Sequence, residues 1–168
     1  MTKFAVGKIV FVPMHGRGEI VEEVLSSDME CFKIKLTEGY SIIPRRKMLR
    51  VGVRFASSIN EIKKALQELA KHRRVRSARN PEKLYRDIRR DITSGDIVIL
   101  AQVVRDLYNK DDELTQLQSE FYGQALNRLA DEIAEGLPVG RLGARGIIES
   151  LIERETLPPE WAEKLKTP

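Results

Sequence analysis

The basic side chains between residues 71 and 90 are those whose type and spacing could do chemistry in this chain. In "KHRRVRSARNPEKLYRDIRR" nine lysines and arginines accompany only two acidic residues. Such clusters neutralise phosphates and release counterions, so a polyanion, most often nucleic acid, is the expected ligand. The whole chain of 168 residues has a net charge of +4, because residues 100–168 are net acidic. Its basic character therefore belongs to one segment.

The second half of this segment predicts a helix with two unlike faces. Asn80 is a good N-cap, and Pro81 suits the first helical position, where its missing N–H has no partner in any case. Helical spacing turns an apolar set inward: Leu84, Ile88 and Ile92. It turns a basic set outward, along a line that could follow a phosphate backbone: Lys83, Arg86 and Arg90.

The alternative is that this basic line is only the solvated face of an ordinary amphipathic helix. Such a face has mixed signs, and Asp87 and Asp91 do lie near the line. Against this alternative, several arginines precede the helix with no acidic residue among them: Arg73, Arg74, Arg76 and Arg79. The charge pattern therefore favours nucleic acid.

Residues that catalysis or metal binding would need are scarce. His15 and His72 have no cysteine or carboxylate at metal-ligand spacing beside them. The "GRG" at 16–18 is followed by a strand pattern without Lys-Ser/Thr, which excludes a phosphate loop. Alternation around Cys31 predicts a buried or half-buried strand position, and the carboxylates after residue 100 are expected mostly on solvated helix faces. We expect no enzyme, no metal and no cofactor.

The elements that must position these residues predict an α+β fold. Residues 1–54 contain short β-branched and aromatic runs separated by turn residues, which indicates a small bent sheet or SH3-like barrel. From residue 55 to 155 the apolar spacing is helical, with Ser58 or Asn60 as a first cap and Thr115 with Gln118 as a capping box. The glycine-rich "GLPVGRLGARG" should interrupt the helices, and residues 156–168 are expected to be a mobile tail.

The composition favours a folded protein of the cytoplasm. Hydrophobic residues make up 42% of the chain, which is enough for a core. No run approaches the roughly 18 apolar residues of a membrane helix, and the N-terminus lacks the pattern of a cleaved signal. We therefore expect no membrane association.

Four short motifs stand in a fixed order along the chain: "FAVGKIVFVPMHGRGEI" (4–20), "VGVRF" (51–55), "SGD" (94–96) and "QVVRDL" (102–107). Together they resemble the CarD/CdnL family of bacterial transcription regulators, over residues 4–135 or so. The resemblance implies a Tudor-like N-terminal domain, shared with transcription-repair coupling factor, that binds the RNA polymerase β subunit. It also implies an all-helical C-terminal domain that contacts promoter double-stranded DNA at the upstream edge of the transcription bubble and stabilises the open complex.

Carried onto this chain, the family's basic positions on its DNA-facing helix fall on Lys83 and Arg86, and its tyrosine falls on Tyr85. Its tryptophan wedge falls on Pro81, while Trp161 lies in the predicted tail. Proline can act as a minor-groove wedge, but the first helical position explains Pro81 without DNA. We therefore predict a grip on the DNA backbone that is made by Arg76, Arg79, Lys83, Tyr85, Arg86 and Arg90.

The family's polymerase-facing strand matches "GYSIIP", so the resemblance implies docking through residues 38–46. The residues expected to take part are Tyr40, Ser41, Ile42, Ile43, Arg45 and Arg46. A basic residue that some members carry falls on Ile42. Arg45 and Arg46 either compensate for it or are solvated turn residues.

Three functions remain open. The leading hypothesis is a monomeric transcription regulator that binds polymerase and promoter DNA and modulates open-complex stability. The second is a polymerase- or protein-binding interaction module whose helical domain has lost the wedge and its specific DNA function. The third, an RNA-binding protein unrelated to polymerase, is disfavoured because few aromatic residues are available to stack on bases.

Overall fold

Two compact units make up the chain, Met1–Ala56 and Ser57–Pro168. A computed structural model describes residues 4–13, 15–71, 80–108 and 114–154, together with Pro159. Within these ranges a five-stranded antiparallel sheet is followed by five helices, which confirms the predicted α+β class. None of the helices described is long and apolar enough to cross a membrane. The predicted tail lies outside the described residues, apart from Pro159.

The N-terminal unit packs one face of its sheet on a small core. Its strands are β1 (Ile9–Val12), β2 (Gly16–Ser26), β3 (Met29–Leu36), β4 (Tyr40–Pro44) and β5 (Arg54–Phe55). Their spatial order is β4-β3-β2-β1-β5. Alternation buries Ile20, Phe32 and Ile34, because successive strand residues face opposite sides. Cys31 is buried in β3, as predicted.

The glycines of "GRG" are required by the packing and the turn geometry of the sheet. A Cβ at Gly18 would lie 2.7 Å from Ile34 Cγ2 on the paired strand, which is closer than carbon atoms can approach. Gly16 has a φ of 76°, a backbone conformation that favours glycine at the start of β2. Packing and turn geometry therefore explain this motif without a phosphate.

The C-terminal unit is built in its described part from α1 (Ile59–Leu69), α2 (Pro81–Thr93), α3 (Ile97–Leu107), α4 (Gln116–Gly136) and α5 (Arg141–Arg154). All five contribute to one apolar core. Ser58 caps α1 in a capping box with Glu61, and Thr115 caps α4 in a capping box with Gln118. The predicted capping box of α4 is confirmed. Of the two candidate caps for α1, Ser58 and Asn60, Ser58 is the residue that caps the helix.

The prediction that the whole glycine-rich segment interrupts the helices is wrong for its second half. The break covers residues 137–140, and α5 begins at Arg141, so Gly143 and Gly146 are helical. Each helical glycine costs about 1 kcal/mol relative to alanine. Helix α5 nevertheless forms because it buries Ile148 and Leu151 completely in the core, and packing supplies most helical stability in proteins.

Two of the carboxylates after residue 100 are buried, which corrects the expectation of solvated helix faces for them. Asp106 forms an ion pair at 2.8 Å with the neighbouring Arg105, whose own side chain is also buried. Glu132 accepts a hydrogen bond of 2.5 Å from the Ser57 hydroxyl. Buried charges require such partners, and Ser57 is 75 residues away from Glu132, so helical periodicity could not reveal the pair.

The Arg105 guanidinium also ties α3 to the end of α1. It donates to the Glu68 carbonyl oxygen at 3.1 Å and to the Glu68 carboxylate at 3.2 Å. Lys71 and Gln102 donate to the same carboxylate. The hydrogen bond from Lys71 is the largest of the effects that lower the pKa of Glu68 below its ordinary value of 4.5. This polar network fixes the last turn of α1 against α3.

Candidate nucleic-acid interface and exposed edge strand

The first turn of α2 is closed as the sequence predicts. The Asn80 side-chain oxygen accepts hydrogen bonds from the backbone N–H of Glu82 at 2.9 Å and of Lys83 at 3.4 Å. Pro81 occupies the first helical position and is exposed. Because the first N–H groups of a helix have no partner within it, this cap determines where α2 begins. Pro81, on which the resemblance places the family's wedge, thus has a structural role in the first turn of α2.

The inward face of α2 is apolar, as predicted. Ile88 and Ile92 are buried in the core, and Leu84 packs against it. Tyr85 is half-buried, and its ring is tilted against Phe121 of α4 with 6.2 Å between the ring centroids. Tyr85 therefore helps to hold α2 on α4, and only part of its side chain faces solvent.

Lys83 and Arg86 both lie on the exposed side of α2. Among the described residues, neither side chain has a hydrogen bond or ion pair. Residues three apart on a helix are neighbours on its surface, so the two charges project from one face. Both cations are available to an anion outside the protein.

Arg90 lies on the same helix but has partners there. Its guanidinium nitrogens lie 3.3 Å from the Asp87 carboxylate and 3.3 Å from the Asp91 carboxylate. The sequence correctly places Arg90 on an exposed face. Its positive charge, however, is offset by two carboxylates of its own helix.

Two further arginines, which the sequence does not single out, also act at α2. The Arg89 guanidinium lies over the Phe121 ring, 6.0 Å from its centroid. Arg128 of α4 donates a hydrogen bond of 2.8 Å to the Ile92 carbonyl, which is one of the last carbonyls of α2. Arg128 is therefore a positioning residue for α2. No local signal could reveal it, because its partner is 36 residues away.

The other predicted DNA contacts, Arg76 and Arg79, lie outside the described residues. The same holds for further residues discussed above: His72, Arg73, Arg74 and Trp161. The roles of Arg76 and Arg79 stay predictions from the sequence.

In the N-terminal unit, β4 is an edge strand that pairs with β3 alone among the described strands. The Leu36 N–H donates to the Gly39 carbonyl at 3.0 Å, so this residue pair is hydrogen-bonded. Bonded and non-bonded pairs alternate along an antiparallel ladder. Ser41 and Ile43 are therefore bonded to β3, whereas the N–H and C=O groups of Tyr40 and Ile42 point away from the sheet.

The side chains of β4 alternate in the same way. Tyr40 and Ile42 are exposed by 60% and 54%, and the Lys33 ammonium lies 4.9 Å from the Tyr40 ring centroid. Ile43 is buried in the core, and Ser41 is half-buried. Of the predicted docking residues, Tyr40 and Ile42 thus have both their backbone polar groups and their side chains accessible to a partner. The Ile43 side chain packs into the core.

A short 3-10 helix, Arg45–Lys47, follows β4 and lines a cavity of about 400 Å³ together with the β2–β3 turn. Arg45 pairs with Glu23 at 3.5 Å and with Glu30 at 3.8 Å. Arg46 is exposed and has no described partner. Arg45 therefore forms ion pairs within the unit, whereas Arg46 has no partner among the described residues. The sequence alone does not show this difference.

The described residues contain no group of three or more His, Cys, Asp or Glu side chains that could hold a metal ion.

Comparison with known proteins gives a family match for the helical unit. No curated protein matches the chain. The family described as CarD, C-terminal domain, matches residues 64–144, a range that includes all of α2, α3 and α4. The helical unit therefore contains a CarD-type C-terminal domain, which supports membership of the CarD family and a CarD-like, transcription-associated protein.

Proposed function

We propose that this chain is a transcription regulator that docks on the RNA polymerase β subunit through β4 and contacts promoter DNA through α2. The DNA contact lies near the upstream edge of the transcription bubble and modulates open-complex stability. The chain acts as a monomer and has no catalytic role.

The observation that carries this proposal is the pair formed by Lys83 and Arg86. Both are exposed and without described partners, on a capped helix inside the region that matches the CarD C-terminal domain. Two cations on one helix face suit neighbouring phosphates. Phosphate contacts position a protein on DNA without specifying the sequence, so we expect α2 to set register and not to choose promoters.

The polymerase contact is supported by the geometry of β4. An exposed sheet edge can accept a strand from a partner, in which case main-chain hydrogen bonds supply affinity and alternate side chains supply specificity. The outward N–H and C=O groups of Tyr40 and Ile42 are suited to such bonds. Their exposed side chains lie where a partner strand would pass.

Replacing Lys83 and Arg86 together by alanine tests the DNA contact. The variant should bind polymerase–promoter complexes more weakly, and the slope of log affinity against log salt should fall by roughly one for each phosphate that the protein no longer neutralises. Affinity is measured over a salt series, and open-complex lifetime is measured beside it. Lys64→Ala is the control, because Lys64 is an exposed lysine on α1. An unchanged slope in the double variant would contradict the DNA contact.

Ile42→Pro tests strand addition at β4. The Ile42 N–H points away from β3, so proline removes the outward donor and leaves the ladder to β3 intact. Binding to the isolated polymerase β subunit should be lost. Ile42→Ala keeps the donor and should reduce binding less. If both variants bind equally well, the main chain of β4 does not carry the contact.

A second candidate is an interaction module without specific DNA function, and the role of Pro81 in the first turn of α2 favours it. Pull-down with the polymerase β subunit, with and without competitor DNA, separates the two candidates. A module would bind the subunit and leave open-complex lifetime unchanged.

A further inference from the structure

Helix α2 places two carboxylates inside its own basic surface. Asp87 follows Arg86 directly, and Asp91 follows Arg90. Arg90 contacts both carboxylates, at 3.3 Å in each case. Asp87 precedes Arg90 by three residues, a spacing at which helical side chains meet. The arrangement therefore follows from the helix itself.

The exposure of these groups shows what their pairing can do. The side chains of Arg90 and Asp87 are 71% and 38% exposed, and exposed ion pairs contribute little to stability, whereas Asp91 is 17% exposed. The two carboxylates instead weaken the attraction between Arg90 and an anion that approaches α2. Such an anion meets an arginine already accompanied by two negative charges, beside Lys83 and Arg86, which have no partner among the described residues.

We propose that Asp87 and Asp91 limit the affinity of α2 for DNA phosphates by neutralising Arg90. The inference rests on the proposed function, since it concerns the same DNA contact. A chain that polymerase already holds meets promoter DNA at high effective concentration and needs little affinity of its own. The two carboxylates thus make DNA contact conditional on docking, because free DNA alone is held weakly.

The test measures binding of the full chain to a free DNA duplex over a salt series, without polymerase. D87N/D91N should bind about tenfold more tightly at low ionic strength, because Arg90 is no longer neutralised and can contact a phosphate. Its salt slope should steepen by about 0.9, which is the value for one further neutralised phosphate. Adding Arg90→Gln to this variant should abolish that gain and return the slope to that of the unmodified chain.

Two comparisons make the result interpretable. E38Q/E149Q removes two exposed carboxylates elsewhere, from the β3–β4 turn and from α5, and controls for net charge. The single variant Asp87→Asn leaves the less exposed Asp91 in place and should give a smaller gain in the same direction. It keeps the test valid if the double variant folds poorly, which helical circular dichroism detects.

The outcomes separate the inference from the proposed function. A gain that needs Arg90 and exceeds the gain of E38Q/E149Q supports the inference. An unchanged affinity and slope, or an equal gain in the charge control, overturns it alone. K83Q/R86Q is measured in parallel, and if it binds the duplex as well as the unmodified chain does, the DNA contact at α2 fails and the inference fails with it.

Discussion

Gly136 offers a sharp test of how the helical unit is packed. It is the last residue of α4, and a Cβ at this position would overlap Cδ1 of Ile62, a completely buried residue of α1. Ile62 Cδ1 is the end of a side chain, but its surroundings are packed and it cannot turn freely. We therefore expect Gly136→Ala to destabilise the helical unit by about 1–3 kcal/mol, the usual range for overpacking.

The clash involves one methyl group, which makes a rescue possible. Ile62→Val removes Cδ1, and the next atom, Cγ1, would be 3.6 Å from the new Cβ, an ordinary contact. Alone, Ile62→Val should cost about 0.5–1.5 kcal/mol. Combined with Gly136→Ala, it should cost less than the sum of the two changes, with a coupling of about 1 kcal/mol or more between these neighbours.

The assay is urea unfolding followed by helical circular dichroism for the unmodified chain, both single variants and the double variant. Gly143→Ala is the matched control, since a Cβ there would meet Val139 Cβ at an ordinary 3.5 Å. Strict additivity of the two changes would refute this account of the contact. So would a gain in stability from Gly136→Ala as large as the gain from Gly143→Ala.

Two further predictions concern the helical unit. Asn80→Ala should lower the free energy of unfolding by about 1 kcal/mol through loss of the α2 cap, whereas Asn80→Asp should retain most of it; equal losses in urea unfolding would contradict the capping role. Folding lowers the pKa of Glu68, so its contribution to stability is present above its ordinary pKa of 4.5 and is lost as pH falls through the folded value. Glu68→Gln should therefore reduce the acid sensitivity of unfolding, and an unchanged pH profile would exclude this role.

Local patterns in the sequence were enough to predict α2. Its cap, its first residue and its buried face depend on neighbours within a few turns, and all three agree with the structure. The same holds for the capping box that opens α4. Helical periodicity did not show which exposed charges form ion pairs. The pairing of Arg90, for example, depends on where its side-chain atoms lie.

Interactions between distant residues account for most of what was missed. The buried Glu132 depends on Ser57, and the bond that positions the end of α2 comes from Arg128. Short strands were predicted within residues 1–54, but no local pattern tells which strand is at the edge of the sheet. Helix α5 was missed at its start because core packing outweighed the low helix propensity of its glycines.

The network around Arg105 bears on how this protein can evolve. It fixes the end of α1, and the Asn80 cap fixes the start of α2, so these contacts on either side of residues 72–79 use none of the side chains of that basic segment. Arginines there can therefore be exchanged under selection for DNA affinity without the loss of either contact.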